Sequence, residues 1–349
     1  MSKPRNLSPQ EMFYRLAQEH KPDFHFEGKN KKGFDAWKRA TLPEVMKTLG
    51  KFPEMVPLNP ELMAEWEHDG LHKQRWMIDV GRHISAAFQI NRPLKIPKRK
   101  KLPAILCWHG HGKFGKEPVM GNDSSADLRT AISTSNYNYG HKMAQEGFIT
   151  FAIDWIGSGE RNDSNKPHCR NNGYDWCNLY YLSATMLGMT SLSINISHGK
   201  AATDFACSFP DVDASRLGVM GMSGGGTMTL WSALCDERFK AAEIICYSDL
   251  WKIFGFRDYN YCGMQVAPGL FSLVDLPDLQ GLLAPRPLLV DIGMYDSCFN
   301  VDGAMKCFEQ VKNIYGAAGA AEKLESDLFP GEHAWGGNKS KDFFTKYLV

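Results

Sequence analysis

The sequence predicts an α/β fold in which a mostly parallel sheet carries helices on both faces, preceded by a helical N-terminal extension. Three observations lead there. Short, wholly apolar runs of strand length recur from residue 103 onward, without the polar alternation of a half-exposed sheet. Segments with apolar residues at helical spacing separate them. Residues 217–236, LGVMGMSGGGTMTLWSALCD, hold the whole unit in one stretch: buried strand, glycine turn, helix.

Composition narrows the classes. The 349 residues are 43% hydrophobic and 23% charged with a net charge of +1, enough for a large core and too balanced for a nucleic-acid or acidic-membrane partner. Nine cysteines, an odd number with Cys107, Cys235 and Cys246 inside apolar runs, read as buried free thiols in a reducing compartment. The start, MSKPRNLSPQ, lacks an apolar leader region, and no later run reaches membrane-spanning length. A soluble, cytoplasmic protein is expected.

Residues 1–70 read as short helices packed on the main domain: one from Ser8, with Pro9 in its first turn, then residues 42–49 and 60–66. Residues 71–349 form the main domain. It opens with alternation over residues 73–91, a β-hairpin turning at Gly81 and Arg82. A basic linker, residues 95–101, is a solvated loop. Buried strands follow at residues 103–108, 148–153, 217–220, 241–247, 287–292 and 325–329. Helices are expected at residues 139–146, 193–209, 227–234, 302–315 and 340–348. Two long excursions, residues 162–188 and 248–284, leave the carboxyl edge of the sheet, where sites in such folds sit.

The chemistry centres on Gly221-Met222-Ser223-Gly224-Gly225, a G-x-S-x-G pattern between strand and helix. A serine at such a turn takes a strained conformation that projects its hydroxyl into a cleft. The rival reading, a phosphate-cradling turn, lacks the G-K-[ST] or distal acidic residue it would want. A serine needs a base and a group to orient that base. His333 follows the last strand, and Asp296 follows the strand at 287–292, in the order Ser, Asp, His used by strand–turn–helix nucleophiles. Asp291, inside the strand, suits a structural role, and Asp302 suits a helix start. An oxyanion site needs two backbone N–H groups. Gly224 supplies one, and His111 or Gly112, in the HGHG loop after the first buried strand, supplies the other. His109 and His111 point opposite ways on an extended chain, and neither a CxxC nor an HExxH motif accompanies them, so no metal is expected. His168, Cys169 and Cys177 are equally weak metal signals.

These stretches together resemble the α/β-hydrolase superfamily, nearest its dienelactone-hydrolase-like and acetyl-xylan-esterase-like branch. The resemblance runs from about Leu71 to the C-terminus through HGHGK at 109–113, DWIGSGER at 154–161, GVMGMSGGGT at 218–227, the region from Cys262-Gly263 to Pro268-Gly269, LLAPRPLL at 282–289 and GEHAW at 331–335. It implies Ser223 as nucleophile, Asp296 as acid and His333 as base, with no cofactor. Dienelactone hydrolases carry cysteine at the elbow, so serine here argues against that reaction. It also implies a buried ion pair between Glu160 and Arg161. The function expected is a serine esterase acting on a small-molecule or carbohydrate ester with a short acyl group such as acetyl. A prolyl-oligopeptidase-like peptidase is the alternative, though about 70 residues cannot form the propeller such enzymes carry; a non-catalytic binding protein is the third reading. The excursions are rich in aromatic residues, and a partly occluded pocket walled by Trp176, Trp251 and Trp335 is expected.

Overall fold

The computed structural model describes residues 5–95, 101–165 and 175–349. The linker expected at 95–101, Tyr174 and the pair His168 and Cys169 fall wholly or mainly outside these residues. Strands β1 (Glu61–His68), β2 (Leu71–Gly81), β3 (Ile84–Pro93), β4 (Leu102–Trp108), β5 (Ile149–Ile153), β6 (Val212–Met222), β7 (Phe239–Ile245), β8 (Leu288–Gly293) and β9 (Leu324–Phe329) join in one sheet. Their order is β1-β2-β3-β5-β4-β6-β7-β8-β9. Pairings from β1 to β5 along that order are antiparallel, and those from β5 to β9 are parallel.

The apolar runs are buried because both faces of the sheet are covered. In the central parallel strands alternate residues enter different cores: Ala104, Leu106 and Trp108 of β4 enter one, Ile105 and Cys107 the other. Helices Ser191–Ser208, Gly224–Cys235 and Val301–Ala317 close the first face, and Tyr139–Gln145 and Ser340–Leu348 close the second. No helix among the described residues is long and apolar enough to cross a membrane, and the described cysteines are free thiols.

Three local expectations need correction. Residues 60–66, read as helix, are strand: β1 pairs antiparallel with β2, so the boundary drawn at residue 70 cuts a hairpin. Nearly every residue of β1 is exposed, so no buried face marks it in the sequence, and pairing overrides the helix-favouring Glu, Leu, Met and Ala. The helix expected at 42–49 begins much earlier, as Lys31–Thr48, and runs through Pro43. Within the excursion expected to be irregular, Trp176–Met186 is a helix capped by the Asp175 carboxylate on the Cys177 N–H.

The N-terminal segment lies over the second excursion. The Ser272 and Leu273 carbonyls accept from the Asp23 and Phe24 N–H groups, and Phe13 and Leu16 face Trp251, Phe256 and Phe271 across an apolar cavity of about 460 Å³.

Three carboxylates sit inside the sheet. Asp291 of β8 stands opposite Asp327 of β9, and Glu243 of β7 accepts from Trp335 Nε1 at 3.0 Å and Ser340 Oγ at 2.6 Å. Burial, reinforced by Asp327 and opposed by those two donors, pushes the Glu243 pKa up to about 7. Burial, with Glu243 and Asp327 beside it, pushes Asp291 well above the carboxylate range. An acid whose folded pKa is raised contributes fully below its unfolded value and loses that contribution as pH rises through the folded one. Glu243→Gln should therefore retain more stability than wild type as pH rises from about 4.5 past 7. Urea unfolding across that range checks this; parallel pH profiles for the two proteins would contradict it.

Candidate active site

Ser223 directly follows β6 at φ 58° and ψ −121°, a conformation that costs a non-glycine residue about 1–3 kcal/mol. Two contacts hold it there. Its N–H donates to the Ile245 carbonyl of β7 at 2.9 Å. The helix it starts passes so close to β4 that a Cβ on Gly225 would lie 1.9 Å from the Trp108 carbonyl oxygen, so only glycine fits.

Sheet register then sets the other two residues. Met222 pairs with Ile245, Ile245 with Asp291, and Gly293 at the end of β8 with Phe329 at the end of β9. The Met294 and Tyr295 N–H groups donate to the Phe329 and Gly331 carbonyls, tying the two loops together just past the strands. Asp296 is on one loop and His333 on the other, with Asp296 Oδ2 2.9 Å from His333 Nδ1. Asp296 Oδ1 accepts the Cys298 and Phe299 N–H groups at 2.7 and 3.0 Å. Burial alone would raise the pKa of this carboxyl, which is 6% exposed; His333 and the two N–H donors outweigh it and hold the group below the usual range. Ionised Asp296 accepts from Nδ1–H and leaves Nε2 as the proton acceptor. The Phe299 ring stacks on the imidazole at 5.9 Å. Ser223 and His333 line one cleft of about 330 Å³, with Phe114, Pro118, Tyr137 and Met222.

The HGHG loop forms the facing wall. His109 is fully buried; its Nε2 accepts the Trp155 N–H at 3.0 Å, so its proton is on Nδ1, which donates to the Gly110 carbonyl at 2.7 Å. Burial lowers its pKa and keeps it neutral. The Gly110 N–H is taken by the Tyr137 hydroxyl at 2.5 Å, so His111 and Gly112, which also line the cleft, are the loop's candidate donors. Gly224 opens its helix, so its N–H has no intrahelical acceptor. A Cβ on Gly224 would lie 3.6 Å from His111 N, so the two candidate oxyanion donors are neighbours. Beside them lies a second, much smaller recess of about 20 Å³, lined by Trp155, Met228 and Met264 among others.

The loop beyond rests on a buried ion pair that differs from the expected one. Glu160 pairs with Lys116 at 2.8 Å and with Arg75, and Arg161 donates to the Asp154 carbonyl at 2.9 Å and meets His198 at 3.0 Å. The buried pair is Lys116 with Asp154, at 3.0 Å. The tryptophan assignments are also corrected. None of Trp176, Trp251 and Trp335 is among the residues lining the Ser223 cleft. Trp335, 6% exposed, is anchored to Glu243 and Ser340 in the core. Trp251, 6% exposed, stacks on Phe271 beneath the N-terminal segment, and Trp176 packs on Tyr180. Sequence reasoning missed Tyr137, which stands in an irregular SNYNYG stretch without a motif, and Met228 and Met264, whose role depends on how loops pack.

Known proteins are similar to this chain in sequence and fold. YtaP of Bacillus subtilis strain 168, named as a hydrolase, is 25% identical over 284 residues, 80% of this chain and 88% of its own. Acetyl esterase Axe7A of Xylanibacter ruminicola is 26% identical over 216 residues, 61% of this chain and 43% of its own. A Bacteroides fragilis structure titled as an acetyl xylan esterase superposes with a TM-score of 0.74 at 19% identity, covering 94% of this chain and 84% of that one. The Abhydrolase family matches residues 1–330, and with the sheet order and the serine elbow already described, the chain belongs to that family.

Proposed function

We propose that the protein is a serine carboxylic-ester hydrolase that removes a short acyl group, acetyl foremost, from a carbohydrate or other alcohol. The observation that carries this is the single cleft shared by Ser223, on its strained elbow, and His333, held by Asp296. The acetyl esterase and acetyl xylan esterase relatives support the substrate class.

Ser223 Oγ attacks the ester carbonyl while His333 Nε2 takes its proton. Asp296 fixes the ring and stabilises the imidazolium. Negative charge on the carbonyl oxygen falls on the Gly224 and His111 N–H groups at the positive end of the Gly224–Cys235 helix. His333 then protonates the departing alcohol, leaving an acyl group on Ser223. Water, deprotonated by the same imidazole, attacks the acyl-enzyme and releases the acid. As the acyl–oxygen bond breaks, His333 gives the proton it took from water to Ser223 Oγ, which restores the free enzyme.

The recess beside Gly224 and His111 has room for little more than one water-sized group, which suits a methyl, whereas the 330 Å³ cleft can take a larger alcohol. Wild type should hydrolyse p-nitrophenyl acetate in preference to the butyrate, and Ser223→Ala should remove turnover. Asp296→Asn should lower kcat by on the order of 10³–10⁴-fold, because the imidazole loses its tautomer control. Acetate turnover by Ser223→Ala within tenfold of wild type would overturn the assignment.

Met228 and Met264 limit the recess. Met264→Ala should shift the butyrate-to-acetate ratio of kcat/KM upward by about tenfold, since each methylene accommodated or refused is worth about 1–3 kcal/mol. An unchanged ratio in a folded variant would move the acyl site elsewhere.

A further inference from the structure

Three loops that leave the sheet at separate strands bring three side chains together beside the recess next to Gly224, where His111 and Cys177 also line its wall. His111 stands in the loop after β4, Cys177 on the helix of the first excursion, and Cys262 in the second excursion. His111 Nε2 lies 3.2 Å from Cys262 Sγ, and the three side-chain atoms all fall within 4.8 Å of one another. The seating of Gly263 on the first excursion's helix presets the arrangement. The Gly263 N–H donates to Asn178 Oδ1 at 2.9 Å, and a Cβ on Gly263 would lie 2.2 Å from the Tyr181 Cβ, so the second excursion is seated directly on the helix that carries Cys177. His111 is exposed and both cysteines are half-buried, so solvent reaches the cluster.

We infer that His111, Cys177 and Cys262 form a zinc-binding site that staples the two excursions to the oxyanion loop. Tetrahedral zinc at about 2.3 Å from sulfur and about 2.0–2.1 Å from nitrogen holds its ligand atoms roughly 3.5–3.8 Å apart, a spacing these side chains meet with small rotations. One nitrogen and two sulfurs form a donor set that favours zinc over magnesium or calcium. Binding displaces both thiol protons to solvent: two Cys–SH and Zn²⁺ give the dithiolate complex and two H⁺. The fourth position is left to water. A Cys177–Cys262 disulfide would use the same sulfurs but needs an oxidant and gives His111 no part. The site is not needed for the ester chemistry. It fixes the residue whose N–H faces Gly224 and the excursion that carries Met264, and so sets how rigid the acyl recess is.

Cobalt titration of the full chain, reduced with a phosphine and kept anaerobic, tests this. One equivalent should give the visible bands of tetrahedral cobalt together with a thiolate-to-cobalt band. Zinc should displace it, and Cys177→Ser and Cys262→Ser should each weaken binding at least about tenfold. Cys246→Ser, beside Asp296 and His333, should leave the spectrum unchanged. A second measurement needs no variant: in wild type, zinc should protect Cys177 and Cys262 from alkylation, read by peptide mass mapping. No tetrahedral thiolate spectrum, a spectrum that survives both serine variants, or unprotected Cys177 and Cys262 would overturn the proposal.

Discussion

Everything at the catalytic edge depends on how closely the elbow approaches the neighbouring strand. Ser223 is held at a positive φ in part because the helix after it is pressed against the Trp108 carbonyl, an approach that Gly225 permits and any Cβ would prevent. That contact fixes the serine against β4, and the Ile245 carbonyl fixes it against β7. From there the parallel register of β7, β8 and β9 carries the position outward to the loops of Asp296 and His333. The local strain is small beside the cohesion of a sheet buried on both faces.

The same edge is braced from below by buried charge. Lys116 and Asp154 hold the turn beneath the HGHG loop, and neutral His109 ties that loop to the residue after Asp154. On the opposite side, Glu243 receives Trp335 and Ser340 beneath the His333 loop. The cleft is thus framed by polar groups whose hydrogen bonds are made away from it.

Much of this was legible in the sequence, for a physical reason. Parallel strands covered on both faces are continuous apolar runs, and an elbow is a run that ends in glycines around a serine. Register then makes the ends of β8 and β9 neighbours, so Asp296 and His333 could be named from their distance past each strand. What was not legible depends on packing between distant segments. β1 has no buried face, so PELMAEW reads as helix until β2 is there to pair with it. The family resemblance places a buried ion pair at Glu160 and Arg161, whereas their partners, Arg75, Lys116 and His198, come from other elements. The tryptophans were credited to the cleft because they sit in or beside the loops at the sheet edge; two of them are anchors buried on other sides of those loops. Met228 and Met264, which line the recess beside Gly224, carry no motif at all.

If the proposed chemistry holds, the strained elbow makes Ser223 a nucleophile served by His333. Rapid acid quench of wild type during turnover of an activated acetyl ester, followed by peptide mass mapping, tests it most directly. The account predicts a 42 Da acetyl increment, about that of one acyl group replacing a proton, on the peptide containing Ser223, with none in Ser223→Ala. An increment on another residue, or turnover that never leaves an adduct even when deacylation is slowed at low pH, would contradict it.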